Sequence, residues 1–312
     1  MTLRSVIDVG TNSVKVLLGA VTGREVLPVW ETSRQTRLGQ GFYADHRLQS
    51  GPIESTAVVV AAFAEEARKR GAVSVRVIAT SAAREASNAH ELLEAIRRTS
   101  GLVCEVIPGS LEAEWGFGGV TTNPLYASQR LLILDVGGGS TEFILGHHGH
   151  ACFSESYPLG SVRLFERFQT SEFPHSDELG SVRSYVRDFV TVHVKPHLQP
   201  LFDAEGSPEM AVGIGGTTSI LAMIQSGTGD FDRELIERTR FTLVELRALN
   251  ERLWSLPLAE RRRLPGLPPE RADVILTGTA IYEGILEVMN LQMLGISTRG
   301  LRFAALLDSG NS

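Results

Sequence analysis

The chain has 312 residues, 43% of them hydrophobic and 21% charged, with a net charge of −6. That balance suits a soluble globular protein of one large or two medium domains. It excludes a global basic field that would recruit nucleic acid. A polyanionic ligand would therefore have to be met by a local patch or by backbone N–H groups. Cys104 and Cys152 are the two cysteines. They lie in apolar, strand-like runs without a CxxC neighbour, which predicts a reducing cytoplasm and neither a disulfide nor a zinc scaffold. A strand pattern by residue 3 leaves no room for a signal peptide. The longest apolar run, Ala57–Ala64, is too short to span a bilayer, so no membrane association is expected.

The first third alternates. Leu3–Val9 and Val14–Ala20 are strand-like and separated by "GTNS", and Glu25–Thr32 is a third strand candidate. "SGPIESTAVVVAAFAEEARKRG" reads as a helix, with Pro52 near its start and Gly71 just past its end. "VSVRVIAT" is a β-branched strand run. Asn88, with Glu91 three residues on, predicts a capping-box start for a helix ending at Gly101. "LVCEVI" is a strand and "SLEAEWGFGG" a short helix. The order β-β-β-α-β-α-β-α implies a mixed sheet covered by helices.

"TTNPLYASQ" (121–129) is a linker candidate, after which the pattern restarts. "RLLILDV", "TEFILGHH" and "HACFSESY" are strand candidates. Ser176–Lys195 is helical, "MAVGIG" a strand, and "TTSILAMI" opens a helix. Helices follow at 243–254 and 271–290, "LGIST" is a late strand, and "RGLRFAALLD" forms a terminal helix. Trp30, Trp115 and Trp254 read as core residues. "HHGH" (147–150) reads as an exposed hairpin tip rather than a metal site.

The restart is a repeat. "IDVGTNSVKVLLG" (7–19) lies over "LDVGGGSTEFILG" (134–146) at a constant offset of 127, with six of 13 positions identical. A repeat this long is not a solenoid; it predicts two similar domains. A P-loop is excluded because no lysine follows the glycines. A dinucleotide fingerprint is excluded because a strand, not a helix, follows Ser140. Each turn alone is compatible with a plain hairpin. Two matched turns point instead to ligand contact, because a hairpin without side chains admits a ligand to the main chain. Successive N–H groups there converge on an anion. Ser13, Ser140 and Thr141 add hydroxyls. Asp8 and Asp135, closing buried apolar strands, make sense if a hard cation such as Mg²⁺ lies between them and phosphate oxygens; Glu142 adds to that site.

The duplicated unit with its "DVGTNS" and "DVGGGST" turns resembles the acetate and sugar kinase/Hsp70/actin superfamily. Within it the chain is similar to the exopolyphosphatase/guanosine pentaphosphate phosphatase family. "VIDVGTNSVKVLL", "RLGQG" (37–41), "ATSAAREASNA" (79–89), "EVIPGSLEAE" (105–114), "YPLGSVRL" (157–164), "VGIGGTTSILA" (212–222) and "ISTRGLRFAALL" fall in the family's order. The resemblance implies two duplicated ribonuclease H-like (actin-like ATPase) α/β domains. Each is a mixed five-stranded sheet with flanking helices, and the active site lies in the interdomain cleft. Domain I is expected over 1–125, joined by a C-terminal helix at about 300–312, and domain II over 126–299.

The implied reaction is hydrolysis of the terminal phosphoanhydride of inorganic polyphosphate, or of the 5′ end of guanosine pentaphosphate, which would connect it to the stringent response. An ATP-dependent kinase or ATPase of the superfamily is the alternative. "PGSLEAE" aligns Glu112 with the family's water-activating glutamate, Leu111 replacing the acidic residue before it and Glu114 standing where arginine is usual. By position alone Glu112 is also a first-turn acid favoured by the helix dipole. The resemblance places phosphate contacts on Gly10, Thr11, Asn12, Ser13, Arg37, Arg84, Asn88, Gly137, Gly138, Gly139, Ser140, Thr141, Gly215, Gly216 and Thr217. A lone arginine is as readily a solvated surface charge, so the motif carries Arg37 and Arg84. Mg²⁺ or Mn²⁺ is expected on Asp135, Glu142 and Asp8. The substrate is the expected partner, without nucleic acid or membrane, in a possible homodimer.

Overall fold

A computed structural model describes residues 1–23, 25–147, 150–174 and 176–308. The chain forms two compact units. One comprises Met1–Pro124 together with the chain from Arg299 on, and the other Leu125–Thr298.

In the first unit β1 (Thr2–Val9), β2 (Ser13–Thr22) and β3 (Glu25–Gln35) form an antiparallel meander. After α1 (Phe42–Asp45) and α2 (Ser50–Lys69), β4 (Ser74–Ala79) returns parallel to β1. α3 (Ser81–Glu85) and α4 (Ala89–Ser100) lead to β5 (Cys104–Val106), parallel to β4, and then to α5 (Gly109–Val120). The sheet order is β3-β2-β1-β4-β5. Alternate residues of each strand face opposite sides. Ile7, Val9, Val14 and Val16 pack with Ile53, Val60 and Phe63 of α2 and Ile96 of α4. Val6, Leu17 and Ile78 pack with Trp115 of α5 and with Leu301, Phe303 and Leu306 near the C-terminus.

The second unit repeats this plan. β6 (Leu131–Val136), β7 (Thr141–His147) and β8 (His150–Tyr157) are the meander. α6 (Ser161–Phe168), α7 (Ser176–Phe189) and α8 (Lys195–Glu205) precede β9 (Met210–Ile214), which is parallel to β6. Then come α9 (Gly216–Ser226), α10 (Arg233–Arg238), β10 (Arg240–Thr242), α11 (Leu243–Ser255), α12 (Leu258–Arg261), α13 (Ile275–Val288) and β11 (Met293–Ile296). α14 (Leu301–Leu307) belongs to the first unit and carries the Leu301–Leu306 contacts given above. No helix among the described residues is long and apolar enough to cross a membrane.

Four expectations need correction. The second sheet has six strands, in the order β10-β11-β9-β6-β7-β8. The extra edge strand, β10, is antiparallel to β11 and only three residues long, too short to show a period of two. The helix expected to end at Lys195 continues to Glu205 through a π-helical turn, Val190–Val194. Pro196, directly after that turn, brings no N–H to the ladder, and the wider turn absorbs that break; Pro200 lies inside α8. α4 has no side-chain N-cap. The Asn88 amide instead spans the backbone of Leu48, accepting from its N–H at 2.9 Å and donating to its carbonyl at 3.0 Å. Trp115 and Trp254 are buried, whereas Trp30 is half-buried. Phe63 meets Trp30 edge-on at 6.1 Å, and the Arg70 guanidinium lies 4.8 Å above its ring. His148 and Gly149 of "HHGH" lie outside the described residues; His147 ends β7, exposed, and His150 opens β8.

Candidate active site

The hairpin register of the second unit sets Asp135 directly opposite Glu142 and Val136 opposite Thr141. The two carboxylates are thus cross-strand neighbours on one face. Like charges in that position repel unless something lies between them. Glu142 is buried, and its Oε1 accepts from the hydroxyls of Ser140 and Ser156, each at 2.7 Å. Two hard carboxylates on one face, one of them anchored by hydroxyl donors, suit Mg²⁺, which takes one or two carboxylates and completes its shell with water and phosphate. Among the described residues no cluster of three or more metal-ligating side chains occurs, so a cation here would depend on oxygens from water and substrate.

The turn between these strands is closed by Gly137 N–H donating to Ser140 C=O at 2.9 Å. Its carbonyls are held from behind by the start of α6. Gly137 O accepts from Ser161 N (2.9 Å), and Gly138 O from Val162 N (2.9 Å) and Arg163 N (3.0 Å). Gly139 O accepts from Arg163 Nε at 2.8 Å. Each carbonyl shares a trans peptide with the amide of the next residue, and the two point in opposite directions. Fixing three carbonyls toward α6 therefore turns the N–H groups of Gly138, Gly139 and Ser140 outward as a group, an anion nest. Gly160 permits the approach: a Cβ there would lie 2.4 Å from Gly138 O and from Gly139 C.

The first unit uses the same turn with a different backing. Gly10 N–H donates to Ser13 C=O at 3.1 Å. Thr11 O accepts from Gly39 N (2.8 Å), and Asn12 O from Thr36 N (3.1 Å) and Arg37 N (3.0 Å). The "RLGQG" loop thus serves as α6 does, and the amides of Asn12 and Ser13 face away from it. Arg37 enters this loop with a φ of 51°, in the left-handed region. Asp8 is buried, and among the described residues its Oδ1 has no partner; the same holds for Asn12 Nδ2. Two orphaned polar atoms beside an amide-lined turn mark a place where a ligand completes the bonding. Burial raises the Asp8 carboxyl above its usual range, and the cations Lys15 and Arg302 partly offset that. Lys15 is the residue paired across the hairpin from Asp8.

Glu112 sits in the first turn of α5 and is buried. Arg84, closing α3, donates from Nη1 to Glu112 Oε2 at 2.9 Å and to Ile107 O at 3.1 Å. The structure therefore brings Arg84 and Glu112 together. Leu111 packs against the cluster formed by α5, α14 and the sheet, which accounts for an apolar residue at that position. Glu114 is exposed. Asn88 is spent on Leu48 and lies in the structural support of the loop.

In the second unit Gly215 (φ 88°, ψ −167°) turns β9 into α9 in a conformation reserved for glycine. A Cβ there would lie 2.5 Å from Asp135 Oδ1, so this turn rests on the carboxylate. Gly216 follows at the start of α9, where a Cβ would be 3.4 Å from Arg271 Nη2. Thr217 is buried, its hydroxyl 3.5 Å from Val136 O. Thr141 is wholly buried and its hydroxyl donates to Leu159 O. Sequence reasoning missed Lys15, Gly39, Ser156, Gly160, Arg163 and Arg271, which touch the site residues without lying in the paired turns. A glycine immediately before a helix, as in "PLGSVRL", was the available signal for Gly160.

Two duplicated mixed sheets, each with an Asp-bearing glycine turn, define a phosphate-handling protein of the actin-like ATPase class. A family model, the Ppx/GppA phosphatase family, matches residues 19–311. The chain is 33% identical over 297 residues to exopolyphosphatase 2 of Mycobacterium tuberculosis, covering 91% of this chain and 89% of that one. An exopolyphosphatase from Cytophaga hutchinsonii superposes with a TM-score of 0.86 at 25% identity, covering 98% and 96% of the two chains. An Aquifex aeolicus family member gives 0.77 at 27%, over 98% and 96%. The chain belongs to the Ppx/GppA phosphatase family, and it is a phosphoanhydride hydrolase.

Proposed function

We propose that the protein is an exopolyphosphatase, releasing orthophosphate from the end of an inorganic polyphosphate chain. The observation that carries this reading is the triple-glycine turn, whose carbonyls are all bonded from behind so that its amides gather on one side. That arrangement suits a polyanion with no further recognition element. The relatives named as exopolyphosphatases support the same substrate class.

In this reading the amides of Gly138, Gly139 and Ser140 hold phosphate oxygens, and in the first unit those of Asn12 and Ser13 offer the same kind of contact. Glu112 orients a water and takes its proton as the water oxygen bonds to the terminal phosphorus. The bridging oxygen keeps the bonding electrons and leaves on the shortened chain. Arg84 holds one oxygen of Glu112 and presents a guanidinium beside the incoming charge. Asp135 and Glu142 would hold a divalent cation, which when bound offsets charge on the transferred phosphate and the leaving oxygen. Positioning and neutralisation supply most of the barrier lowering in such transfers.

The test is phosphate release from short and long polyphosphate, guanosine pentaphosphate and ATP, measured side by side with Mg²⁺. Polyphosphate turnover that falls about 10²–10⁴-fold in Glu112→Gln supports the reading. Faster turnover of guanosine pentaphosphate reassigns the substrate, phosphorylation of an acceptor by ATP reassigns the reaction, and wild-type activity in Glu112→Gln removes the base.

A further inference from the structure

α13 is the most deeply buried helix of the second unit; its residues from Ile275 to Leu286 are all buried. Three of its contacts go to the elements that carry the proposed phosphate and metal groups. Thr277 Oγ1 donates to Ser161 O at 2.7 Å, steadying the α6 terminus behind the triple-glycine turn. Gly278 lets Thr217 of α9 approach, since a Cβ there would be 2.9 Å from Thr217 Cγ2. Tyr282, wholly buried, reaches the gap between the ends of β6 and β9. Its hydroxyl accepts from Val136 N at 3.3 Å and lies within donating distance of Leu134 O (3.3 Å) and Ile214 O (3.2 Å).

Those three backbone groups flank the site. Leu134 and Val136 bracket Asp135, and Ile214 precedes the Gly215 turn that rests on the Asp135 carboxylate. β6 and β9 are paired as far as Asp135 and Ile214. Beyond that point the strands diverge into their two turns, and one phenol hydroxyl takes over as the bridge. Burial raises the Tyr282 phenol far above its usual range, and the charges of Asp135 and Glu142 add to that. The group therefore remains a neutral O–H that can both accept and donate.

We infer that Tyr282 is a positioning residue for the cation site: its hydroxyl fixes Asp135 against the Gly215 turn and so sets the geometry in which Asp135 and Glu142 hold a divalent cation. This rests on the reading of those two carboxylates as the cation ligands. Residues that orient ligands from behind typically cost about 10–100-fold in metal affinity when removed.

The experiment is direct Mn²⁺ binding to the full chain without substrate, followed by calorimetry or by the Mn²⁺ electron paramagnetic resonance signal. Wild type, Tyr282→Phe, Asp135→Asn and Thr279→Val are compared, well below the melting transition of each. Thr279→Val removes another buried hydroxyl of the same helix, one bonded within it to Ile275 O at 2.7 Å. Tyr282→Phe is expected to weaken Mn²⁺ binding about tenfold, Asp135→Asn to abolish it, and Thr279→Val to leave it at the wild-type value. Equal affinity in Tyr282→Phe and wild type, with Asp135→Asn still inactive in binding, overturns the inference and leaves the cation reading intact. Equal weakening in Tyr282→Phe and Thr279→Val reduces Tyr282 to general stability and also overturns it. Wild-type binding in Asp135→Asn overturns the cation reading, and the inference with it.

Discussion

Gly160→Ala is a one-methyl test of how the triple-glycine turn is built. Gly160 has φ −133° and ψ 158°, extended backbone that alanine adopts freely, so no conformational penalty enters. The cost is steric. The new Cβ would stand 2.4 Å from Gly138 O and Gly139 C, about 1 Å inside the 3.4 Å at which ordinary contact begins. Both obstacles are backbone and cannot rotate away. The α6 terminus must retreat, stretching its five hydrogen bonds to the glycine carbonyls, which now measure 2.8–3.2 Å. At about 1 kcal/mol net for each, their loss amounts to about 5 kcal/mol, and the amides no longer face one way. Urea unfolding gives the stability change, and the KM for polyphosphate gives the binding change; both are expected to worsen. Gly39→Ala is the matched control. Its nearest obstacle at 2.3 Å is Thr11 Cγ2, the end of a side chain, while the backbone contact is an ordinary 3.4 Å. It should cost much less. If Gly160→Ala unfolds at the wild-type urea concentration with unchanged KM, the account of the turn is wrong.

Glu112→Gln keeps the size and the Arg84 contact while removing the proton acceptor; kcat is expected to fall about 10²–10⁴-fold with KM within a few-fold. Asp8→Asn is expected to stabilise the unliganded protein. Burial raises the Asp8 carboxyl above its unfolded value, so its protonated form favours folding, and that contribution is lost as pH rises through the folded pKa. Asparagine keeps its neutral state throughout. The gain, about 2–4 °C in Tm, should appear at pH 8 and vanish near pH 3, where both side chains are neutral; a gain that is the same at both pH values contradicts the assignment to charge burial.

Much of the fold was legible because its signals are local. "IDVGTNSVKVLLG" and "LDVGGGSTEFILG" carry strand, turn and strand in 13 residues each, and their repetition announces two similar sheets. What was not legible depends on contacts between distant segments. Asn88 looks like a helix cap until the chain at Leu48 folds against it and takes both ends of its amide. β10 exists because β11 lies beside it, not because three residues have a pattern. Glu112 was legible only through its motif, and nothing local shows that Arg84, 28 residues earlier, would close on its carboxylate. The glycines at 39 and 160 have meaning only against the turns they touch.

The duplication also shows where the two copies parted. Superposed at the offset of 127, Asp8 corresponds to Asp135, and Lys15 to Glu142. The hairpin register is the same in both, Asp8 opposite Lys15 and Asp135 opposite Glu142. One copy therefore supplies its aspartate with a covalently attached cation, and the other sets a second carboxylate against it. An ammonium beside Asp8 disfavours a metal ion there, whereas the Asp135–Glu142 pair asks for one. On this reasoning a bound cation would sit with the Asp135–Glu142 pair of the second unit, and Asp8 would be left to face substrate. Glu142→Lys tests this, because the first unit shows that the same hairpin tolerates an Asp–Lys pair. The variant should fold, its ammonium should neutralise Asp135, and Mn²⁺ binding should disappear while far-ultraviolet circular dichroism stays at the wild-type shape. Mn²⁺ bound with wild-type affinity by folded Glu142→Lys would place the cation elsewhere.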